Sequence, residues 1–488
     1  MIFKINKMKL SKEDIMRKKP LIIGTAFVLF IFILLLYMNN ESTEKPILQS
    51  NESTFEFGTV VEQKYQFRNN DLYWIKRIEA HKDSSPYVFH LRVPGNNAVF
   101  RYNEYQDNKF EKSVWKIIKL NDVQFLPLST GFIETENRNI WISMPNVYAN
   151  LGKGTIEEKF DLQEQIQVIK DEEGYLLEIT LPVYQGLISE IWALESNDKL
   201  VRWDYGRMSD IWLTLDLNRK GKWSYDGYYV KSPSTYLPYN KNSFWRIPEN
   251  YILKSFIYTG ESRIAEDMGY VMLETALKNQ EAEGYWKSLP ASTWLQNDYG
   301  IQDGFFDTRF NIGQADLLLE GCKKYQEEKF CKATQRFADY FSNHAEKNHF
   351  NVLGGKVGWL VEDYAHPNGN WPTHVSLNHQ LAEINYLYKM YNHFHNENYK
   401  VLAEKLLYGI ENIGGKWITE SSDLHYAYFP NGTLGRPDYP YLTFNDLQET
   451  QKWQREIYGT ENDKLNQLIQ SKKKWMQSNN IKNPFGRL

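Results

Sequence analysis

Five side chains able to give or take a proton stand between positions 362 and 374: Glu362, Asp363, Tyr364, His366 and His374. Pro367, Gly369 and Pro372 interrupt this stretch, so the groups lie on irregular backbone, where binding and catalytic side chains concentrate. Carboxylates, phenols and imidazoles at this density suit general acid–base chemistry. They do not suit a metal centre: His366, His374 and His379 are separated by eight and five residues across prolines, which matches no zinc spacing. A second cluster, Asp303, Asp307 and Arg309, lies upstream, and two carboxylates so placed also fit glycoside hydrolysis. A third cluster lies downstream, with Tyr426, Tyr428, Arg436, Asp438 and Tyr439.

These clusters fall in three long loops, at roughly 282–310, 348–374 and 412–440, and the pattern between them is helical. After Ser376, for example, Leu377, Leu381, Ile384, Leu387 and Tyr388 recur at three- and four-residue steps. An aromatic residue followed by a short polar turn marks four places, Tyr258, Tyr325, Phe394 and Tyr458, spaced by 67, 69 and 64 residues. A period of this length fits two helices joined by a tight turn, with a long loop returning on the other side. Four such hairpins predict an (α/α)4-type barrel over 246–488, with the three loops gathered on one rim.

From 55 to 245 the period is that of strands. YVFHLRV, SVWKIIKL, NIWISM and YLLEITLPV alternate or are rich in branched and aromatic residues, which predicts an antiparallel β-sandwich or open barrel. Asp171–Gly174 and Asn218–Gly221 read as hairpin turns. The predicted class is therefore multi-domain α+β.

Residues 21–38 are uncharged and almost wholly apolar, about the length that spans a bilayer. Lys- and Arg-rich sequence precedes them, so a cytoplasmic tail over 1–20, a membrane anchor, a linker over 39–54 and extracytoplasmic domains are expected. A net charge of −4 gives no general attraction to nucleic acid. Cys322 and Cys331 are either a pair or two core residues; their spacing leaves both open. No glycine-rich dinucleotide or phosphate loop is present, so no organic cofactor is expected.

Three motifs carry a resemblance. Glu362-Asp363-Tyr364 is followed ten residues later by HVSLNHQLAEINYLY; Arg436-Pro437-Asp438-Tyr439 precedes a helix bearing Asn445 and Leu447; Phe310-Asn311-Ile312-Gly313-Gln314 opens the helix ADLLLEGCKKY. Over residues 280–456 the chain resembles the C-terminal domain of the glucuronyl C5-epimerases, which invert uronic acids within heparosan-type polymers. It departs from that family in having Pro437 where Trp is usual, Pro440 where His is usual, and His379 rather than Gly after Asn378.

The resemblance implies a β-rich domain before an α/α barrel, a uronate-containing polysaccharide as partner, and pairing as a homodimer. It carries roles onto Glu362, Tyr364, Arg436, Asp438, Tyr439 and, more loosely, Tyr426; the site is read with Tyr364, Tyr439, Glu362 and Tyr426 as catalytic and Arg436, Arg309, Asp438, His374, Asn378 and Trp371 as substrate contacts. C5 inversion requires acid/base groups on opposite walls of the ring and cations for the developing charge. Tyr364 and Glu362 suit one wall, Tyr439 with Tyr426 or Tyr428 the other, and Arg436 and Arg309 suit the carboxylate. A polysaccharide lyase, a glycoside hydrolase and a non-catalytic glycan-binding surface protein fit the same residues.

Overall fold

The computed structural model describes residues 45–106, 113–259 and 262–483. The expected anchor at 21–38 and the tail before it lie outside the described residues. Among the described residues, no helix is long and apolar enough to cross a membrane.

The strand-forming sequence builds a 13-stranded sheet, with a separate three-stranded sheet of Tyr87–Pro94, Gln167–Asp171 and Gly174–Leu181. At the centre of the large sheet is Leu187–Ser196, paired antiparallel to Leu72–Ala80 on one edge and to Asn139–Ile142 and Asn146–Gly152 on the other. Nearly every residue of this strand is buried, because both faces of the sheet are covered. Ile78, Ile133, Ile140, Ile191 and Ala193 pack within one core that includes Leu177 and Ile179 of the small sheet. Tyr73, Ile75, Trp141, Trp192 and Leu194 belong to a second core, shared with the helices. The region is thus a sandwich of open sheets, not a barrel. One core spans sheet and helices, and the sheet strand Ser243–Arg246 is followed by helix from Tyr251.

The turn Asp171–Gly174 closes a hairpin as expected. The stretch before Asn218, read as a strand, is instead helix α1 (Met208–Thr214), since Met208 and Trp212, four residues apart, bury one helical face. The nearby hairpin joins Gly221–Ser224 to Gly227–Lys231. Ile47–Phe55 overlaps the stretch read as linker, 39–54, yet pairs along its length with Gly58–Gln66. Its side chains are almost all exposed, so backbone pairing rather than an apolar pattern defines it.

The helices are α2 (Tyr251–Thr259), α3 (Arg263–Lys278), α4 (Thr293–Tyr299), α5 (Thr308–Tyr325), α6 (Glu328–Lys347), α7 (Leu377–Phe394), α8 (Glu397–Ile413), α9 (Leu442–Tyr458) and α10 (Asp463–Ser478). Four hairpins result: α2/α3, α5/α6, α7/α8 and α9/α10. Their turns follow the marker aromatics, three of them closed by left-handed residues, Gln326, His395 and Gly459, at φ of 52°, 54° and 71°. Helices α3, α5, α7 and α9 pack side by side, with α6, α8 and α10 each against its hairpin partner. The close packings form an arc of four hairpins, and α7, in its middle, is buried on all sides. Cys322 and Cys331 are paired in a disulfide across the α5–α6 turn, their Cα atoms 4.9 Å apart.

One close approach fixes the lead-in to the candidate site. Strand Gly358–Val361 runs against α8 so tightly that a Cβ on Gly358 would stand 2.0 Å from the backbone nitrogen of Gly409. Backbone cannot yield as a side-chain tip can, so Gly358→Ala is expected to destabilise the fold by about 1–3 kcal/mol. Urea unfolding of the variant checks this, and an unchanged midpoint would mean that strand and helix separate freely.

Candidate functional site

Short strand pairs stitch the three loops together. Phe306–Asp307 of the first pairs with Tyr364–Ala365 of the second. Val375–Ser376, at the end of the second, pairs with His425–Tyr428 of the third, which pairs in turn with Leu434–Pro437. Tyr236–Leu237 of the sheet region joins Ala291–Ser292 of the first loop. The first loop also contains α4, a helix too short to show a period in the sequence.

The register sets the chemistry. Asp307 and Tyr364 are direct antiparallel partners, so their side chains leave the same face of the pair as neighbours. His374 is fully buried among rings: Tyr364 and Tyr426 each lie 5.8 Å away, Tyr299 5.6 Å and Phe429 6.0 Å. Tyr439 then lies 5.7 Å from Tyr426 and is 48% exposed, so the row of rings runs from the interior to solvent. Among the described residues, neither the Tyr364 nor the Tyr439 hydroxyl has a hydrogen-bond partner, although Tyr364 is buried. Tyr439 is open to solvent, so its hydroxyl is free to meet water or a ligand.

Asp363 holds the floor in shape. Its Oδ1 accepts from the Ser376 backbone N–H at 2.8 Å, and its Oδ2 accepts from the Ser376 hydroxyl. His374 Nε2 stands 3.3 Å from the same Oδ2, while Nδ1 accepts from the Tyr299 hydroxyl at 2.7 Å. His379, one turn into α7, meets the Thr308 hydroxyl through Nδ1 at 2.9 Å. Asp307 caps α5, accepting from Phe310 N–H at 3.0 Å.

Burial dominates the electrostatics. It raises the Asp307 carboxyl to about 7, against the lowering effect of its bonds from Phe310 and Arg309. It lifts Asp363 well above the usual carboxylate range despite Ser376, and lifts Glu362 as well. The phenols of Tyr364, Tyr426 and Tyr439 are all raised, by burial first, with Asp307 adding to each. His374 is lowered to about 4 by burial and by Arg436. At neutral pH the phenols are therefore proton donors, the imidazoles are uncharged, and Asp307 sits at the pKa best suited to a general base.

The other sequence-predicted residues take varied positions. Glu362 is half-buried, its Oε2 accepting from Thr373 N–H at 2.6 Å. Trp371 is 65% exposed at the rim. Arg436 is exposed, 3.4 Å from Asp298 and 5.4 Å from the Phe429 ring centre, with a positive φ of 62°. Asp438 points the other way, to the buried Lys472 at 2.7 Å and the Thr443 hydroxyl at 2.6 Å. Arg309 donates to the Asn378 carbonyl at 2.7 Å and grips Asp446 with both nitrogens, at 2.8 and 3.3 Å. It borders a cavity of about 80 Å³ inside the arc, also lined by Lys389 and Glu449. That space holds a few waters but no sugar ring. Asn378 is buried in the first turn of α7.

Sequence reading assigned no role to Tyr299 or Glu383. Tyr299 is one aromatic among many in its loop. Glu383 occupies an inner position of α7, where helical periodicity expects an apolar residue, and that mismatch is the signal by which it could be found. Neither of its oxygens has a well-formed hydrogen-bond partner, and burial and Asp363 hold its pKa well above the carboxylate range.

His344, behind the second loop, gives a pH prediction. Its Nε2–H donates to the Glu362 carbonyl at 3.0 Å and its Nδ1 accepts from Asn348 at 3.1 Å, so the neutral ring is fully bonded. Burial lowers its pKa from 6.5 to about 4. The unfolded chain then binds the proton first as pH falls, so this residue's contribution is whole above pH 6.5 and shrinks toward pH 4, by up to about 3 kcal/mol. Urea unfolding at pH 7 and 4.5 is expected to show a smaller pH slope for His344→Gln than for the wild type; parallel slopes would refute it.

No family model matches the sequence, and no curated protein does. Among solved structures the chain is similar to a glycoside hydrolase family 76 mannosidase from Bacteroides thetaiotaomicron, at 14% identity and a TM-score of 0.36 over 50% of this chain and 64% of that one. It is similar to a D-mannose isomerase at 15% identity and TM-score 0.34, over 46% of this chain and 58% of that one. The cellobiose 2-epimerase from Spirochaeta thermophila gives 11% identity and TM-score 0.34, over 46% and 58%. The chain thus spans less than two thirds of each of these three proteins. At such TM-scores the likenesses assign neither fold nor activity.

Proposed function

We propose that the loop cluster inverts C5 of uronic acid residues within a polysaccharide. Asp307 takes the C5 proton from one face of the ring, the electron pair moves into the adjoining carboxylate as an enolate, and Arg436 offsets the added charge. A neutral phenol of the third loop, Tyr426, returns a proton to the opposite face. Proton transfer from Asp307 to the resulting phenolate, through bound water, restores the starting state. Tyr364, Tyr439 and Trp371 supply ring faces against which the sugar is held. The observation that carries this reading is the placement of unpartnered phenols from two loops around a buried carboxyl with a pKa near 7. On the same reading, residues 21–38 anchor the chain with its main body outside the cytoplasm.

Hydrolysis is the second reading, favoured by the neighbouring buried carboxyls Asp307 and Asp363. Against it, both Asp363 oxygens accept from Ser376 and the residue is fully buried, which suits a role in holding the strand pair together. The test is NMR of glucuronate-containing polymers, heparosan first, incubated with the chain in deuterated water. Deuterium at C5 in an intact polymer supports epimerisation. An unsaturated end group means a lyase, new reducing ends mean a hydrolase, and an unchanged panel leaves a binding protein.

A further inference from the structure

A groove on the sheet region, bordered by Thr155–Glu158, Gly227–Lys231 and Ser243–Arg246, gathers five cations: Lys159, Arg219, Lys220, Lys231 and Lys241. Three acids share its wall, and two of these are committed. Glu157 pairs with Lys159 at 2.9 Å, and Glu158 pairs with Lys222 at 2.7 Å. The third, Asp161, faces the same groove.

Lys222 lies beneath the groove with its side chain 1% exposed. The ring of Phe244, itself buried, has the Lys231 ammonium 4.5 Å and the Lys222 ammonium 5.5 Å from its centre. Contact with the ring offsets part of the charge. Even so, burial and Lys222 together push the Lys231 ammonium below its usual pKa. Among the described residues, Lys220, Lys231 and Lys241 make no ion pair. Lys231, partly desolvated beside Lys222, gains from an anion that joins it.

The chain ties the groove to a residue beside the candidate site. Lys241 is five residues from Tyr236, whose phenol is raised first by burial and then by the nearby Asp307 and Tyr439. Five residues span at most about 18 Å.

We propose that this groove binds carboxylate-bearing sugars of the polysaccharide at a distance from the reacting residue, holding an acidic chain in register across the loops. The choice of ligand rests on the proposed function; the anion site itself rests on the groove. The test is binding of heparosan oligosaccharides, and of neutral cello-oligosaccharides of equal length, to the full chain by calorimetry, with no turnover required. The variant carries Lys220→Ser, Lys231→Ser and Lys241→Ser, three largely exposed changes outside the catalytic loops. Affinity for the acidic oligosaccharide is expected to fall about tenfold in the variant, and the wild-type preference for it over the neutral one to fade at high salt. Unchanged affinity in the variant, or equal binding of neutral and acidic oligosaccharides by the wild type, would overturn the proposal. Loss of affinity without any C5 exchange by the wild type would sink the proposed reaction and leave the groove standing. Exchange with unchanged variant affinity would sink the groove alone.

Discussion

Tyr426→Phe is expected to lower kcat for epimerisation by about 10²- to 10⁴-fold, the range seen when a positioned acid is removed. The substitution keeps the ring that packs on His374 and Tyr439, so the unfolding midpoint should stay close to that of the wild type. A two-wall mechanism makes a sharper statement. With Asp307 intact and Tyr426 disabled, the C5 proton still leaves and returns on Asp307's own face. Deuterium should therefore enter glucuronate with retained configuration while inversion is lost. Asp307→Asn should abolish both. If Tyr426→Phe turns over normally, the donor on that wall is another group; if it loses exchange and inversion equally, the separation of roles between the two walls is wrong.

Lys472→Ala is expected to give the largest loss of stability of any single change considered, about 3–5 kcal/mol. The side chain is fully buried between Asp423 at 2.6 Å and Asp438 at 2.7 Å. Removing it leaves two carboxylates in a dry setting with no cation. Lys472→Met, which refills the volume without the charge, should be similarly damaging, and the loss should shrink as acid protonates the carboxylates. The change also matters for the site, because Asp438 ties the strand bearing Arg436 to α10, just before Tyr439. Urea unfolding from pH 7 to pH 4 tests this; a Lys472→Met protein as stable as the wild type at pH 7 would show that packing rather than charge pairing holds the loop.

The helical half was legible because its period is strong and its turns recur. Tyr258, Tyr325, Phe394 and Tyr458 each precede the break between two helices in the structure. The left-handed turn residues were only partly visible, since Gly459 announces itself and Gln326 and His395 do not. In the sheet half, the burial of Leu187–Ser196 on both faces depends on a helical layer supplied by distant sequence. The stretch Met208–Thr214 was misread because Ile211, Trp212 and Leu213 suit a strand as well as a helix, and the burial of Met208 with Trp212 decides between them.

At the site, the loops and most of their side chains were visible as reactive residues on irregular backbone. Pairing was not. Arg436 and Asp438 are two residues apart, which suggests a couple, yet Lys472 takes the aspartate and Asp298 the arginine. Arg309 stands beside Asp307 in sequence, but helix α5 turns it toward Asp446 on α9. Such partners lie from 34 to 138 residues away, and no local pattern encodes them. The importance of Asp307 likewise comes from cross-strand register with Tyr364, which exists only once the loops are stitched.

A crystal structure of the chain with a glucuronate-containing oligosaccharide tests the central claim most directly. The expected result is a uronate ring within the loop cluster, its C5 about 3–3.5 Å from the Asp307 carboxyl on one face and the Tyr426 hydroxyl on the other. Its carboxylate should lie against Arg436. A sugar seated outside the three loops, or a ring whose C5 faces neither Asp307 nor Tyr426, would contradict it.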